Sequence, residues 1–225
     1  MDIVFALGGS VLMPKDGASA ENIKSYAQVF KKLKDMGHNV SIVVGGGNTA
    51  REYIKVSREF TNESVCDEIG IMATRMNAML LISALSKYSV NFVPTNFKDA
   101  EMILNLGKIL VMGGTHPAHT TDAVSATLAE FTNADLLVIA TNVDGVYTKD
   151  PRTNNDAKKL EKMTTKELIE ITGSNSISAG SSSVVDSLAS KIIDRAKLKT
   201  IVVKGTPDEI LKSVLGGHDG TIIIP

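Results

Sequence analysis

Short runs rich in valine and isoleucine alternate along this chain with longer stretches whose apolar residues recur at helical spacing. The runs predict buried strands at Asp2–Leu7, Asn39–Val44, Asn91–Val93, Ile109–Met112, Asp135–Thr141, Thr200–Lys204 and Thr221–Ile224. Buried strands that are separated by helices are typical of a parallel sheet with crossover connections. We therefore predict an α/β fold, a mostly parallel central sheet sandwiched by helices, with ligands beyond the carboxyl ends of the strands.

The composition narrows the function classes. The 24 lysines and arginines balance 25 aspartates and glutamates, which predicts no basic surface for nucleic acid. The single cysteine, Cys66, cannot form an internal disulfide, which fits a reducing compartment. We see no secretory signal and no apolar run that approaches the roughly 20 residues needed to span a bilayer. We therefore expect one cytoplasmic domain, residues 1–225, without membrane contact.

Several helices carry their own start signals. Ser19 is a predicted cap, Thr164–Glu167 is a predicted capping box, and Thr206 with Pro207 opens another helix. The longest helical pattern, Val65–Leu85, carries a methionine-rich stripe that suits either the core or a subunit interface. The polar stretch Tyr147–Lys159 is the best candidate for a mobile flap.

Two glycine-rich loops follow predicted strands and lead toward helices. They are Gly8-Gly9-Ser10 and the segment from Gly45 to Arg51. Glycine lets backbone amides approach phosphate oxygens, so the pair indicates a polyphosphate that is held from two sides. The second loop also matches G-x-G-x-x-A, but the next predicted strand supplies no acidic residue at dinucleotide-binding spacing. Arg51 favours phosphate instead, and the sequence contains no P-loop motif.

A third loop, Gly113–Asp122, is rich in hydroxyl groups and runs into a helix. It predicts a second anion site. From position alone, Asp122 is either a helix cap or a carboxylate that orients a cation. His116 and His119 with Asp122 also suggest a metal site, but nearby cysteine or histidine partners are missing from the sequence.

Two further segments carry candidate site residues. On the loop after Asp135–Thr141, a tyrosine and an acid suit a nucleotide base and ribose. Three serines, 181–183, are predicted caps before a helix, in which Asp186 and Lys191 point to different faces.

Taken together, these motifs resemble amino-acid kinases, and the resemblance spans nearly the whole chain. The pattern Asp67-x-x-Gly70-x-x-Ala73-Thr74-x-x-Asn77, together with Gly114-Thr115-His116-Pro117-Ala118-His119-Thr120-Thr121-Asp122, is similar to the archaeal branch of the UMP kinases. The resemblance implies phosphoryl transfer from ATP to UMP, with Mg²⁺ bridging the phosphates and no metal ligand from the protein. It also implies a homohexamer that is built from dimers through the long helix.

The resemblance implies roles for the residues of this chain that match the motifs of the family. The resemblance implies an acceptor half, about residues 1–134, and an ATP-binding half, about residues 135–225. ATP would contact Gly9, Ser10, Gly47 and Arg51 through its phosphates, and Thr141, Asn142, Tyr147 and Asp150 through its base and ribose. UMP would contact Gly46, Asp67, Thr115, His116, Pro117, Ala118, His119, Thr120 and Thr121. Asp122 would organise the reacting centre, with Asp186 and Arg51 as helpers.

One departure separates this sequence from most kinases of the fold. A phosphate-binding lysine usually stands two residues before the first glycine pair, where this chain has Ala6. The archaeal UMP kinases also lack it, which leaves Arg51, Arg75 and Mg²⁺ as candidate cations. Two rival interpretations remain: a kinase of isopentenyl phosphate or another small phosphate, and a non-catalytic nucleotide or metal storage protein that uses His116 and His119.

Overall fold

The computed structural model describes residues 1–15, 17–149, 154, 156–173 and 184–225. Its strands are β1 (Asp2–Leu7), β2 (Asn39–Val44), β3 (Leu110–Met112), β4 (Leu136–Thr141), β5 (Val146–Tyr147), β6 (Lys159–Leu160), β7 (Lys162–Thr164), β8 (Thr200–Lys204) and β9 (Thr221–Ile224). Its helices are α1 (Gly9–Leu12), α2 (Ala20–Asp35), α3 (Gly47–Ser57), α4 (Glu63–Leu85), α5 (Phe97–Asn105), α6 (Thr121–Phe131), α7 (Thr165–Gly173), α8 (Ser187–Arg195) and α9 (Pro207–Leu215). A 3-10 turn, Ser86–Tyr88, follows α4.

In the described part of the chain, seven strands form one sheet in the order β3-β2-β1-β4-β8-β9-β7. The first five are parallel to one another, whereas β9 runs antiparallel to β8 and pairs in parallel with β7. The predicted mostly parallel sheet is confirmed. Its carboxyl edge therefore gathers the loops that follow β1, β2, β3 and β4.

Both faces of the sheet are covered by helices, which explains why the strands are apolar throughout. Alternate residues of β1 point to opposite sides: Phe5 belongs to a core with α2, α4 and α9, and Val4 to a core with α5, α6, α7 and α8. Phe5 and Phe30 pack edge to face, with ring centroids 5.2 Å apart. The architecture is a three-layer sandwich with β1 and β4 at its centre.

The strand predictions were wrong at one place and incomplete at another. Asn91–Val93 is not a strand, and Phe92 is 46% exposed. Two residues before this segment, the hydroxyl of Ser89 donates to the carbonyl oxygen of Ile109 at 2.9 Å, so a side chain meets the backbone just before β3. The short strands β5, β6 and β7 were not predicted, because two or three residues carry no readable alternation.

The predicted helix caps are confirmed where the structure describes them. Ser19 accepts a hydrogen bond from the backbone N–H of Asn22, and Thr206 accepts one from that of Glu209. Thr164 and Glu167 form the reciprocal capping box. The serines at 181–183 lie outside the described residues, and the residue that caps α8 is Asp186.

The long helix α4 buries one side only. Ala78, Leu81 and Leu85 pack in the core, whereas Met72 and Met76 are 57% and 59% exposed. The methionine stripe therefore does not belong to the core of the single chain. Contrary to the sequence prediction, residues 63–88 are long and apolar enough to span a membrane by length and composition, but half of the most apolar window is buried inside the fold.

Candidate active site

The two glycine loops meet backbone against backbone at the carboxyl edge of β1 and β2. A Cβ atom added to Gly9 would lie 2.0 Å from the backbone N of Gly47 and 2.5 Å from the carbonyl carbon of Gly45. Gly47 has φ +63°, a conformation that favours glycine. The loops can approach so closely only because these positions lack side chains. The two glycine motifs, from which a polyphosphate site was predicted, form one continuous backbone surface.

The two loops open two helices of different length. Gly9 and Ser10 begin α1, which has four residues, and Gly47 begins α3, which has eleven. Arg51 lies in the second turn of α3, and its side chain is exposed. Because this side chain is not buried, its guanidinium can turn toward a ligand that is bound at the glycine loops.

Helix α4 holds both the second glycine loop and the loop Gly113–Thr120, which we call the acceptor loop. The buried side-chain amide of Asn77 donates to the carbonyl oxygens of Gly45 and Gly46 at 2.9 and 3.1 Å. The backbone N–H of Gly114 donates to Oγ1 of the buried Thr74 at 2.7 Å. A single helix thus fixes the second glycine loop and the acceptor loop relative to each other.

Arg75 adds a third connection from α4. Its Nε donates to the carbonyl oxygen of Gly114 at 3.2 Å, and one Nη donates to that of Thr115 at 3.4 Å. The adjacent Gly113 fits tightly, since a Cβ there would lie 2.5 Å from Oγ1 of Thr74. Sequence reasoning assigned no role to Thr74 or Asn77, although both stand in the motif that carried the family resemblance.

Asp67 lies one turn inside α4, which begins at Glu63 with Asn62 as its cap. Asp67 is therefore not the cap of this helix. Its Oδ2 instead accepts a hydrogen bond at 2.8 Å from the backbone N–H of Ala118. Ala118 has φ +64°, a left-handed conformation that is rare for alanine. This carboxylate therefore faces the middle of the acceptor loop.

The two histidines of the acceptor loop sit side by side. Nδ1 of His119 lies 3.0 Å from the carbonyl oxygen of Pro117, and the imidazole centroids of His116 and His119 are 6.3 Å apart. Among the described residues, no cluster of three or more histidines, cysteines or carboxylates is arranged to hold a metal ion.

Two carboxylates meet where the helices α6 and α8 begin. Thr120 caps α6, and its hydroxyl also donates a short hydrogen bond to Oδ2 of Asp186. The other oxygen of Asp186 accepts from the backbone N–H groups of Leu188 and Ala189 at 2.7 and 2.9 Å. Asp186 therefore joins the start of α6 to the start of α8.

Asp122 follows in the first turn of α6, so it is not the helix cap that position alone had allowed. Burial of its carboxyl group and the nearby negative charge of Asp186 raise the pKa of Asp122 to about 7, although part of the residue still reaches solvent. Such a site favours either a proton or a bound cation.

The remaining predicted residues lie at the end of β4 and on the segment that follows it. Thr141 and Asn142 are adjacent to the first glycine loop, because Gly8 donates its N–H to the carbonyl oxygen of Ala140 at 2.8 Å. The hydroxyl of Tyr147 donates to Oδ1 of Asp144 at 2.9 Å. Asp150 lies outside the described residues.

Lys159 belongs to the same cluster as Tyr147 and Asp144. The sequence analysis assigned no role to Lys159 or to Asp144. The ammonium group of Lys159 donates to Oδ2 of Asp144 at 3.2 Å and to the carbonyl oxygen of Asp219 at 2.8 Å. Partial burial acts to raise the pKa of Asp144, but the hydrogen bonds from Tyr147 and Lys159 outweigh it and lower that pKa. The hydroxyl of Tyr147 is thus occupied by its hydrogen bond to Asp144.

Comparisons with known proteins identify the family of this chain. The model of the amino acid kinase family matches residues 1–204. Uridylate kinases of Methanococcus maripaludis (strain C7) and Methanocaldococcus jannaschii are 80% and 68% identical to this chain, over 100% and 99% of both chains. The crystal structure of uridylate kinase from Archaeoglobus fulgidus is 46% identical and has a TM-score of 0.88, covering 99% of this chain and 100% of that one. The crystal structure of UMP kinase from Bacillus anthracis is 26% identical, with a TM-score of 0.81 over 99% of this chain and 95% of that one. Motifs, fold and full-length relatives coincide, and the chain therefore belongs to the amino acid kinase family.

Proposed function

We propose that this chain acts as a uridylate kinase, converting UMP to UDP with ATP as the phosphoryl donor, at the site where the glycine loops meet the acceptor loop. The activity follows from full-length relatives such as the one at 80% identity. The observation that supports the location is the direct backbone contact between Gly9, Gly45 and Gly47. Two loops that expose backbone N–H groups at one point can hold the phosphates of both substrates.

We assign UMP to the acceptor half. Gly46, Asp67 and the segment from Thr115 to Thr121 would surround it. Thr74 and Arg75 hold the acceptor loop in place through Gly114, so the loop can be ordered before the substrate arrives. Because one oxygen of Asp67 is bound to Ala118, the other can accept hydrogen bonds from the ribose hydroxyls.

We assign the base and ribose of ATP to the other half, near Thr141, Asn142, Tyr147 and Asp150. Its phosphates would lie on the glycine loops, at Gly9, Ser10, Gly47 and Arg51. The exposed Arg51 can move toward a phosphate, whereas Arg75 is already bound to loop carbonyl oxygens. We therefore propose Arg51 as the cation that compensates for the missing lysine at Ala6, which is 2% exposed in the core.

We propose that Asp122 and Asp186 act at the reacting centre. Burial and, to a lesser extent, the nearby carboxylate of Asp186 raise the pKa of Asp122, and this supports a site that a cation such as Mg²⁺, held through the phosphates of ATP, would stabilise. Such an ion would neutralise charge on the transferring phosphoryl group. In this proposal Asp122 orients the positive charge. Asp186 holds Thr120 and the start of α8 in position relative to each other.

The assay that tests this assignment follows ADP release with UMP, CMP, dUMP and isopentenyl phosphate as acceptors, with and without excess chelator. We expect UMP to be preferred and turnover to require a divalent ion. Equal turnover with isopentenyl phosphate would support the small-phosphate rival. Metal binding by purified protein without any kinase activity would support the storage rival.

The assembly and location are proposals of the same kind. We propose a homohexamer built from dimers, because the exposed methionines of α4 form an apolar surface that a second subunit can cover. Sedimentation of the protein at several concentrations tests this, and Met76→Glu should shift the distribution toward smaller species. We also propose that the enzyme works in the cytoplasm, without a nucleic-acid or membrane partner.

A further inference from the structure

The first glycine loop leads into α1, which has only four residues. A single helical turn is unstable by itself in water, because closing it orders several residues for very few hydrogen bonds. The side-chain hydrogen bonds of α4 described above go to the second glycine loop and to the acceptor loop. Side-chain support for α1 comes from a different helix, α2.

Asn22, in the first turn of α2, holds the end of α1. Its side-chain amide donates to the carbonyl oxygens of Val11 and Leu12 at 3.3 and 2.8 Å. The last carbonyl oxygens of a helix have no partner within the helix, so these donations satisfy groups that α1 itself leaves open. Asn22 is fixed in turn, since Ser19 accepts from its N–H and its carbonyl oxygen accepts from the hydroxyl of Ser25 at 2.7 Å. A half-buried amide on a capped helix therefore fixes the end of α1.

Tyr26 lies one turn later on the same face of α2. Its hydroxyl donates to the carbonyl oxygen of Gly205 at 2.7 Å, and both residues are buried. Burial raises the pKa of Tyr26 to about 12, so the hydroxyl keeps its proton and remains a donor at neutral pH. Gly205 in turn donates its N–H to the carbonyl oxygen of Thr141 at 2.6 Å. Helix α2 is thereby connected to the end of β4.

Gly205 lies directly between α1 and the end of β4. A Cβ atom at this position would lie 2.6 and 2.7 Å from the two methyl carbons of Val11 and 3.1 Å from the carbonyl oxygen of Thr141. A side chain at 205 would therefore push these two elements apart. The contacts that Asn22 and Tyr26 make from α2 meet at this junction.

We propose that Asn22 and Tyr26 are positioning residues for ATP, which hold α1 at a fixed distance from the end of β4. This inference rests on the proposed function, which places the phosphates of ATP at Gly9 and Ser10 and its base and ribose near Thr141. A ligand that contacts two elements binds more tightly when their spacing is already set before it arrives. Neither Asn22 nor Tyr26 touches the substrate in this proposal, and each acts through the backbone that it binds.

Titration of the full-length protein with a non-hydrolysable ATP analogue and Mg²⁺ tests this without any acceptor. Asn22→Leu removes the amide but keeps a side chain of similar size, and Tyr26→Phe removes only the hydroxyl group. We expect each variant to bind the analogue about threefold to tenfold more weakly than the wild type, the size typical of one neutral hydrogen bond.

Two matched controls lie on or against the same helix. Gln28→Leu replaces an exposed amide of α2, and Tyr88→Phe removes a hydroxyl that donates to Asp35, the last residue of α2. Both controls should bind the analogue as the wild type does, because neither contact reaches α1 or Gly205.

Kinase kinetics supply a readout that a general loss of stability would not give. KM for ATP should rise in Asn22→Leu and in Tyr26→Phe, whereas KM for UMP should stay unchanged because the contacts of α4 are intact. Asn22→Gln keeps an amide donor and should lie between the wild type and Asn22→Leu. If Tyr26→Phe folds poorly, Asn22→Leu, at a half-buried position, still decides the matter.

Gly205→Ala tests the spacing directly. Its methyl group meets both methyl groups of Val11, so α1 must shift, and we expect binding of the analogue to weaken by more than about tenfold. Val11→Ala removes the two methyl groups that are met, and the double variant V11A/G205A should therefore recover part of the loss.

The outcomes separate this inference from the proposed function. Wild-type affinity for the analogue in both Asn22→Leu and Tyr26→Phe would overturn the inference, as would an equal rise in KM for ATP and for UMP. A wild type that binds the analogue but does not phosphorylate UMP would contradict the proposed function, and the titration would still decide the inference. A wild type that does not bind the analogue would overturn both.

Discussion

The two halves of the active site are built from different kinds of contact. In the half that we propose binds UMP, buried side chains of α4 bind loop backbone atoms: Asn77 holds Gly45 and Gly46, and Thr74 holds Gly114. In the half that we propose binds the base and ribose of ATP, partly exposed side chains bind one another, as Lys159, Asp144 and Tyr147 do. Buried contacts to backbone leave no alternative partner when they are broken, whereas exposed groups can turn to water. Substitutions should therefore have large effects in the first half and small effects in the second.

The largest effect is expected where the glycine loops touch. Gly9→Ala places a methyl group 2.0 Å from the backbone N of Gly47, and backbone atoms cannot yield as a flexible side chain can. Both loops must shift, and a displacement of about 1 Å at a catalytic site lowers the rate on the order of a hundredfold. We expect at least that loss in kcat/KM for both substrates.

Gly173→Ala is the control for Gly9→Ala, because a methyl group at the end of α7 meets no atom of the described residues within 4 Å. It should leave kinetics and melting temperature nearly unchanged. Wild-type kinetics in Gly9→Ala would show that the contact between the loops does not order the site.

The next largest effect is expected at Asp122. Replacing this carboxylate by the neutral amide in Asp122→Asn keeps the shape but removes the charge that orients the cation. We expect kcat to fall by roughly a hundredfold to a thousandfold, the size typical of one electrostatic group at a transition state, with little change in substrate binding. Asp99→Asn, in the first turn of α5, is the matched control. A normal kcat would reduce Asp122 to a structural residue.

The same variant tests the environment of Asp122 through stability. The native pKa of about 7 lies above the value of about 3.9 for an unfolded aspartate, so the native state binds the proton more tightly. The contribution of Asp122 to the free energy of unfolding should therefore decrease as the pH rises from about 4 to 7. In chelator, the melting temperature of the wild type should fall relative to that of Asp122→Asn across this range. Parallel curves would indicate that the carboxyl group is not desolvated.

A smaller effect is expected at Asp67. Hydrogen bonds to a charged group contribute roughly 1.5–3 kcal/mol, so Asp67→Ala should raise KM for UMP about tenfold to a hundredfold. The effect on dUMP should be smaller, since it lacks the 2′-hydroxyl, and KM for ATP should hardly change. Asp67→Asn keeps an acceptor for the N–H of Ala118 and should be milder than alanine. The measurement is KM for UMP and dUMP in each protein, with Glu68→Gln as control; an unchanged ratio would remove Asp67 from the ribose site.

The loops at the carboxyl ends of the strands could be predicted from the sequence, because parallel strands place these loops at one edge of the sheet. Gly9, Gly47 and the acceptor loop could therefore be assigned to one site. It could not predict that Thr74 and Asn77 hold these loops, since pairing a helix with loops some 30 to 40 residues away depends on tertiary packing. The prediction of a strand at Asn91–Val93 was wrong for a related reason. Three residues with one exposed phenylalanine carry too little pattern to distinguish a sheet edge from the segment beside it.

The smallest effect is expected at Lys159, in the half that is held by exposed contacts. Lys159→Met removes the hydrogen bonds to Asp144 and to the carbonyl oxygen of Asp219, so the pKa of Asp144 should rise and the position of Tyr147 should become less fixed. Partly exposed ion pairs contribute about 0.2–1 kcal/mol, which corresponds to a rise in KM for ATP of no more than about fivefold. KM for UMP and kcat should stay near the wild-type values, because the contacts of Asn77 and Thr74 are untouched. Lys149→Met is the matched control, since Lys149 forms an exposed ion pair with Asp156 in the same segment but does not contact Tyr147. If KM for UMP rises as much as KM for ATP, the two halves are coupled through this cluster, and the contrast between them fails.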